Sequence, residues 1–502
     1  MSRTHSNDAA VRPTDQVDVC LVSLYHRVEQ YPSKYSLAAM RLASYLLQVD
    51  GANVTISPYH LRDDPAETAR DILASNPDIV GLSAYLWTAD QIREICIEIR
   101  KRDDRVTLIV GGPESLKLEF EEWPEQILYT AAEGEEPLEW LVDLRRRHGV
   151  IDIEEVDLHH MVFTPSRMDG LTSTCENEVP VGEPLFSEEY LEVFGDDIDT
   201  EFVWYDTQIG CLFDCGFCGH KLRDDIAKRP NEVIKEEIKN IGQMGFDRAF
   251  VIDPILGAVP GRDVKVLEWF CEYAPDTSLK IYLRPELIHD NALDALEDVE
   301  VTEVITGLQT VNPDIPVWLR DNNVEKVKER IELLSKRPFP NRVELITGLP
   351  GDDYEGLRHS IEYVIDELKP TLLMAYRLTV ITGTELEVRI HNPESDVYVE
   401  TNEDMQAISS NSYSEAEMVQ MLRYSTGITS LYNLIQEEHD CNSYEVDVSF
   451  DQLNEQVLAA MEREPEVFDG YDYDRVQQFW KEELESTVDP RPVSNVSISQ
   501  QF

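Results

Sequence analysis

Apolar positions along this chain follow two alternating rhythms, short β-branched runs and stripes at three- and four-residue spacing, over two separate stretches. In the first, residues 17–145, Val17–Ser23 reads as a buried strand. Ser36 then stands as an N-cap before Leu37, Met40, Ala43 and Leu47 on one helical face. Residues 52–56, 78–84 and 106–110 read as further strands, the last running into Gly111-Gly112-Pro113. Ile92, Ile95, Cys96 and Ile99 form one helical stripe, which makes Cys96 a core residue. This alternation predicts a doubly wound, Rossmann-like parallel sheet that binds ligands at the carboxyl ends of its strands.

The rhythm resumes over 201–385, with strands expected at 202–207, 248–252, 279–283, 302–308, 342–346 and 371–377. Ile234, Ile238 and Ile241 mark one intervening helix, and 323–335 and 354–368 two more. Residues 146–200 read as a connector. In it, Arg145-Arg146-Arg147 reads as a solvated helix end, and His159-His160 as a solvated pair, because neighbours in sequence do not share a helix face. Beyond 385 the pattern fades into a mainly helical C-terminal region, with a helix expected from Ser414 towards Leu434. Residues 1–16 and 485–502 read as polar, disordered tails.

Charge changes the picture more than composition does. Acidic residues number 98 against 44 basic ones, a net charge of −54. Such a field repels a phosphate backbone and argues against a nucleic-acid partner. An acidic, hydrated surface suits a protein bathed in molar salt, so a halophilic host is expected, with an acidic protein that meets a basic partner as the alternative. No apolar run is long enough to span a membrane and Met1–Gln16 lacks the apolar core of a signal peptide, so a cytoplasmic protein is expected. The single, scattered Cys20, Cys96, Cys175, Cys271 and Cys441 fit a reducing compartment.

The other three cysteines lie together, in Gly210-Cys211-Leu-Phe-Asp-Cys215-Gly-Phe-Cys218-Gly219-His220. Flanking glycines and a preceding strand mark a metal loop. Zinc, with His220 as a fourth ligand, is one occupant. A [4Fe–4S] cluster held by three thiolates, with one iron open to a cofactor, is the other. The C-x3-C-x2-C spacing resembles the radical S-adenosylmethionine (SAM) enzymes, in which the open iron chelates SAM and an electron from the cluster cleaves it to a 5′-deoxyadenosyl radical. The six strand–helix units, with this loop after the first, are similar to that family's partial (β/α)6 barrel.

Strand-end segments extend the resemblance to the cobalamin-associated group: Asp253-Pro254, Arg284-Pro285-Glu286, Gly307-Leu-Gln309-Thr310, Gly348-Leu-Pro350-Gly351 and Gly383-Thr384. For SAM, Phe217 can lie against adenine, Arg284 fork a carboxylate, and Gln309 bridge the ribose hydroxyls. Asp253 can meet the ammonium, and backbone near Gly348 the adenine edge. Each has a plainer alternative, such as Arg284 pairing only with Glu286. Ser83, Tyr85, Trp87, Gly111, Gly112, Glu133 and Gly134, at strand ends of the first domain, resemble the loops that wrap cobalamin; the alternative is a cofactor-free flavodoxin-like sheet. The segment Leu24-Tyr25-His26-Arg27-Val28-Glu29 lacks the Asp and Gly of the family's axial-histidine loop, so cobalamin is expected without a histidine ligand from the protein.

The resemblance implies a cobalamin-dependent radical SAM methyltransferase acting on an unactivated carbon, served by an electron donor such as ferredoxin or flavodoxin. Rivals are a radical SAM oxidation, cyclisation or rearrangement enzyme without methyl transfer, and a non-catalytic zinc or iron–sulfur protein. The expected domains are 17–145 for cobalamin, 146–200 as connector, 201–385 for the radical SAM barrel and 386–502 for the helical region.

Overall fold

The computed structural model describes residues 15–26, 32–115, 122–130, 133–153, 157–165, 179–195, 198–221, 226–438 and 449–487. In chain order the first elements are β1 (Val17–Tyr25), α1 (Leu37–Leu46), β2 (Ala52–His60), α2 (Pro65–Ala74), β3 (Ile79–Ser83), α3 (Ala89–Arg100), β4 (Thr107–Gly111), β5 (Ile127–Thr130), α4 (Glu135–His148) and β6 (Val162–Phe163). Next come α5 (Glu188–Phe194), β7 (Phe202–Tyr205), β8 (Gln208–Ile209), β9 (Ala227–Lys228), α6 (Asn231–Met244), β10 (Arg248–Val251), α7 (Arg262–Tyr273), β11 (Ser278–Leu283) and α8 (Asp290–Glu297). The chain continues through β12 (Val301–Gln309), α9 (Val324–Ser335), β13 (Asn341–Thr347), α10 (Tyr354–Tyr363), β14 (Leu372–Arg377), α11 (Glu385–His391), β15 (Val399–Thr401) and β16 (Ala407–Ser410). It closes with α12 (Glu415–Glu438), α13 (Phe450–Arg463), α14 (Pro465–Phe468) and α15 (Tyr473–Thr487).

The chain divides into two compact units, 1–209 with 225–250, and 210–224 with 251–502. The first is built on a sheet of order β2-β1-β3-β4-β5-β6. Strands β1 to β5 are parallel and β6 runs antiparallel to β5. The order reverses between β1 and β3, as a doubly wound sheet requires. Both faces are covered, Cys96 and the other α3 stripe residues on one and Ala39, Ala43, Leu138 and Leu141 on the other, which explains the near-continuous apolar runs. Ser36 caps α1, accepting from the Ala39 amide at 3.2 Å. Arg145 departs from the sequence reading. It ends a helix as expected but is buried and paired with Asp78 at 3.0 Å, while Arg146 reaches Asp50.

Residues 226–250 of this unit also supply α6, whose Ile234, Ile238 and Ile241 are buried as the stripe demands. Arg41 of α1 and Arg229 both bind Asp206, at 2.9 Å each, and Arg41 also pairs with Glu237 of α6. All four are buried.

In the second unit β11, β12, β13 and β14 are parallel in chain order, each followed by a helix. With β7 and β10 the chain carries six strand–helix repeats, the (β/α)6 plan of the radical SAM fold. The expected helix 354–368 is α10 followed by a π-helical turn, Val364–Leu368. The helical C-terminal region packs into the same core as α9 and α10 through Met421, Ile428, Leu431 and Ile435. Asn433 of α12 gives β14 the partner that a further strand would give: its Oδ1 accepts from the Leu373 amide and its Nδ2 donates to the Leu373 carbonyl, both at 2.8 Å. Residues 1–14 and 488–502, with Cys175 and Cys441, lie outside the described residues.

Candidate active site

Gly210 opens the cysteine loop at φ +96°, a conformation that favours glycine, and Leu212 stands exposed beyond it. Gly216 pins the loop's centre. Its amide donates to the Trp318 and Leu319 carbonyls at 3.1 Å each, and its carbonyl accepts from Leu386 of α11 at 2.8 Å. A Cβ here would lie 2.7 Å from the Trp318 ring, so glycine is required for close approach. Cys211, Cys215 and Cys218 are free and half-buried. Burial pushes the Cys218 thiol up to about 11, and raises that of Cys211. Nearby Arg320 opposes both shifts; the raised thiols keep their protons, which a bound metal would displace.

Three thiolates are the donor set of a cubane with one iron left open, whereas a closed zinc site needs a fourth protein ligand. His220, offered as a fourth zinc ligand, is exposed.

Two arginines converge on Cys215. Arg320 Nη1 lies 3.1 Å from its Sγ and Arg284 Nη1 3.7 Å. Arg284 uses Nε and Nη2 to grip Glu286, both at 3.1 Å, donates to the Asp321 carbonyl at 2.6 Å, and lies 3.7 Å over the Phe213 ring. Its carboxylate fork is thus engaged by Glu286. Arg320 is buried, and binds Asn322 at 2.8 Å and the Gly307 carbonyl. Gln309 ends β12 with φ +73°, a strained value for a non-glycine residue, where the β12–β13 register shifts. Its amide curls over Gly307, where a Cβ would lie 2.4 Å from Nε2. Asp253 is fully buried just beyond β10. Phe217 packs against the unit's core. Gly348 has φ +93°, and its carbonyl accepts from Tyr413 at 2.6 Å. The structure therefore groups Cys215, Arg284, Arg320, Gly307 and Gln309 in one chain of contacts. Arg320 was missed in the sequence because it sits in an irregular loop, with no periodicity and no motif of its own.

The cobalamin candidates lie in the first unit, on the loops after β3, β4 and β5. Ser83 pairs in register with Gly111, and the Ala84 amide donates to the Gly111 carbonyl at 2.7 Å. Gly112, at φ +92°, lies so near Ala84 that a Cβ would sit 2.5 Å from its carbonyl oxygen. Its glycine is thus explained by the neighbouring loop. Tyr85 and Trp87 stack at 5.2 Å and 12°, leaving Trp87 68 % exposed, an apolar platform at the strand ends. Thr88 holds this turn, accepting from the Tyr85 amide at 2.9 Å. Glu133 and Gly134 are half-buried at the entry to α4. His26 is exposed, its ring 5.7 Å from that of His60.

Two family profiles match the chain, the Radical SAM superfamily over residues 205–364 and the B12 binding domain over 29–142. The chain carries a radical SAM domain and a B12 binding domain. Its cofactors are a [4Fe–4S] cluster, SAM and cobalamin. Among solved structures, this radical SAM chain resembles the radical SAM methyltransferase TsrM from Kitasatospora setae, with tryptophan and a SAM analogue bound. Identity there is 16 %, over 75 % of this chain and 76 % of TsrM, with a TM-score of 0.59. It also resembles the cobalamin-dependent SAM radical enzyme OxsB with aqua-cobalamin and SAM bound, at 15 % identity over 94 % of this chain and 75 % of OxsB, TM-score 0.65. No curated protein sequence matches it. Among the described residues no helix is long and apolar enough to cross a membrane.

Proposed function

We propose that this enzyme is a cobalamin-dependent radical SAM methyltransferase acting on an unactivated carbon. It works in the cytoplasm with an electron donor of ferredoxin or flavodoxin type, and its net charge of −54 suits a host holding molar salt. The observation that carries the reading is the likeness to TsrM, a named methyltransferase, by a chain that also matches the B12 binding domain. When bound, the cofactors supply a deoxyadenosyl radical and a transferable methyl group.

The chain's own residues bind and orient. Cys211, Cys215 and Cys218 would hold the [4Fe–4S] cluster, which would supply the electron that cleaves SAM. Arg320 and Arg284 set positive charge beside Cys215. Phe217 lies against adenine, Gln309 reaches the ribose and Asp253 meets the ammonium. Arg284, gripped by Glu286, positions Cys215 and reaches a SAM carboxylate only by releasing that partner. Ser83, Tyr85, Trp87, Gly111, Gly112, Glu133 and Gly134 would hold cobalamin, with no histidine of this chain serving as its ligand.

A second reading has its own support. OxsB, a cobalamin-dependent SAM radical enzyme, is matched over more of the chain than TsrM. Likeness to it is met equally by an oxidation, cyclisation or rearrangement without methyl transfer. Anaerobic, cluster-reconstituted protein given cobalamin, reductant, methyl-labelled SAM and candidate substrates separates the two. Retained corrin bands, 5′-deoxyadenosine and a labelled product heavier by one methyl support methyl transfer. Deoxyadenosine with an unlabelled product that has lost hydrogens or been rearranged supports the second reading. Deoxyadenosine without bound corrin sinks the methyltransferase.

A further inference from the structure

Away from these loops, one group of side chains in the first unit has the composition and spacing of a metal site. His159 and His160, expected to stand apart as a solvated pair, lie in the turn before β6 rather than on a helix. Their rings are 4.2 Å apart, and both meet Glu136 in the first turn of α4. One ligand atom from each of the three lies within 4.8 Å of the others. We propose that Glu136, His159 and His160 bind a divalent transition cation of the zinc type, which clamps the start of α4 to the turn before β6.

Two imidazoles and a carboxylate form a donor set that zinc accepts, with water completing the tetrahedron. Around such an ion N and O ligands stand about 3.4 Å apart, from bonds of about 2.1 Å. Glu136 and His160 are exposed, so rotation of free side chains closes the remaining gap. His159 is the better-held member. Trp140, one turn further along α4, packs 6.2 Å from its ring, and the Met161 amide donates to Nδ1 at 3.4 Å. That long hydrogen bond marks Nδ1 as the lone-pair nitrogen, and a cation there would replace a weak contact. Glu139, one turn further along α4, adds negative charge beside Glu136. The clamp would fix α4 two residues after Gly134.

The cysteine loop also binds soft metals, so the test must keep the two sites apart. Full-length, cluster-reconstituted protein is stripped of loose metal with a chelator and titrated with Co²⁺, whose spectrum reports its ligands. The expected result is one equivalent bound, with visible bands of nitrogen and oxygen ligation and no new thiolate charge-transfer band, displaced by Zn²⁺. Glu136→Gln should weaken it at least tenfold. The His159→Ala/His160→Ala double variant should lose it, at unchanged circular dichroism and with the cluster's absorbance intact. His160→Ala alone, at an exposed position, provides the same test should the double variant misfold. Co²⁺ binding that survives in these variants, appears only as thiolate ligation, or is absent from the wild type at 100 µM would overturn the proposal.

Discussion

Arg320 is the residue whose placement bears most directly on the cluster. A buried guanidinium 3.1 Å from the Cys215 sulfur stabilises negative charge there, and hydrogen bonds to cluster sulfurs are among the factors that set reduction potential. Arg320→Gln should therefore make the cluster harder to reduce. A charged hydrogen bond of about 1.5–3 kcal/mol corresponds to a fall of roughly 60–130 mV for one electron. Spectroelectrochemistry on the reconstituted variant measures it, and an unchanged midpoint would show that the contact carries no such load. Asp352 has a different consequence. Burial raises its carboxyl from 3.8 to about 6; Oδ1 accepts from Asn312 at 2.8 Å, while Oδ2 has no hydrogen-bond partner. Between those values the native protein holds a proton that the unfolded chain has released, so this group lowers stability as pH rises from about 4 to 6. Asp352→Asn keeps the Oδ1 contact and removes the charge. It should stabilise the fold at pH 7 by roughly 2–3 kcal/mol and flatten the slope in that window, as denaturant unfolding at pH 4 and pH 7 would report.

At the scale of elements, a buried charge network joins α1 to α6. Asp206 sits between Arg41 and Arg229, and these arginines outweigh the cost of burial and hold its carboxyl down at about 2. A lowered folded-state value contributes stability that is complete above the unfolded value and drains away as pH falls towards 2. Asp206→Asn leaves two buried guanidinium groups facing a neutral amide. The expected cost is about 3–5 kcal/mol, read as a fall in the denaturant midpoint with little change in slope. Most strands and helices were legible in advance, because buried parallel strands impose continuous β-branched runs and their helices a sharp stripe; β5 and β6, short and towards the sheet's edge, were not. Strands β11 to β14 lie within one residue of their expected ends. The Asp206 network was not legible, since its members are spread over 197 positions between Arg41 and Glu237. The cysteine loop could be read because its three ligands are contiguous. Arg320 and Trp318, which support it from another loop, could not. His159 and His160 were judged by helix geometry, whereas they lie in the turn before β6, which obeys no such period.

For the whole molecule, 54 uncompensated negative charges repel one another at ordinary ionic strength. Screening contracts to about 3 Å at 1 M salt. If the charge is an adaptation to salt, the unfolding midpoint should climb steadily between 0.1 and 2 M KCl; a flat or falling curve would instead favour a basic partner. The amide of Asn433, set against Leu373, has a broader meaning at this scale. β14 closes one side of its sheet, and a row of bare backbone groups there is an invitation to another chain's strand. With a side chain of the long C-terminal helix seated on it, that invitation is partly withdrawn. Residues beyond the barrel thus guard against cross-chain stacking, a service that no assay of catalysis would reveal.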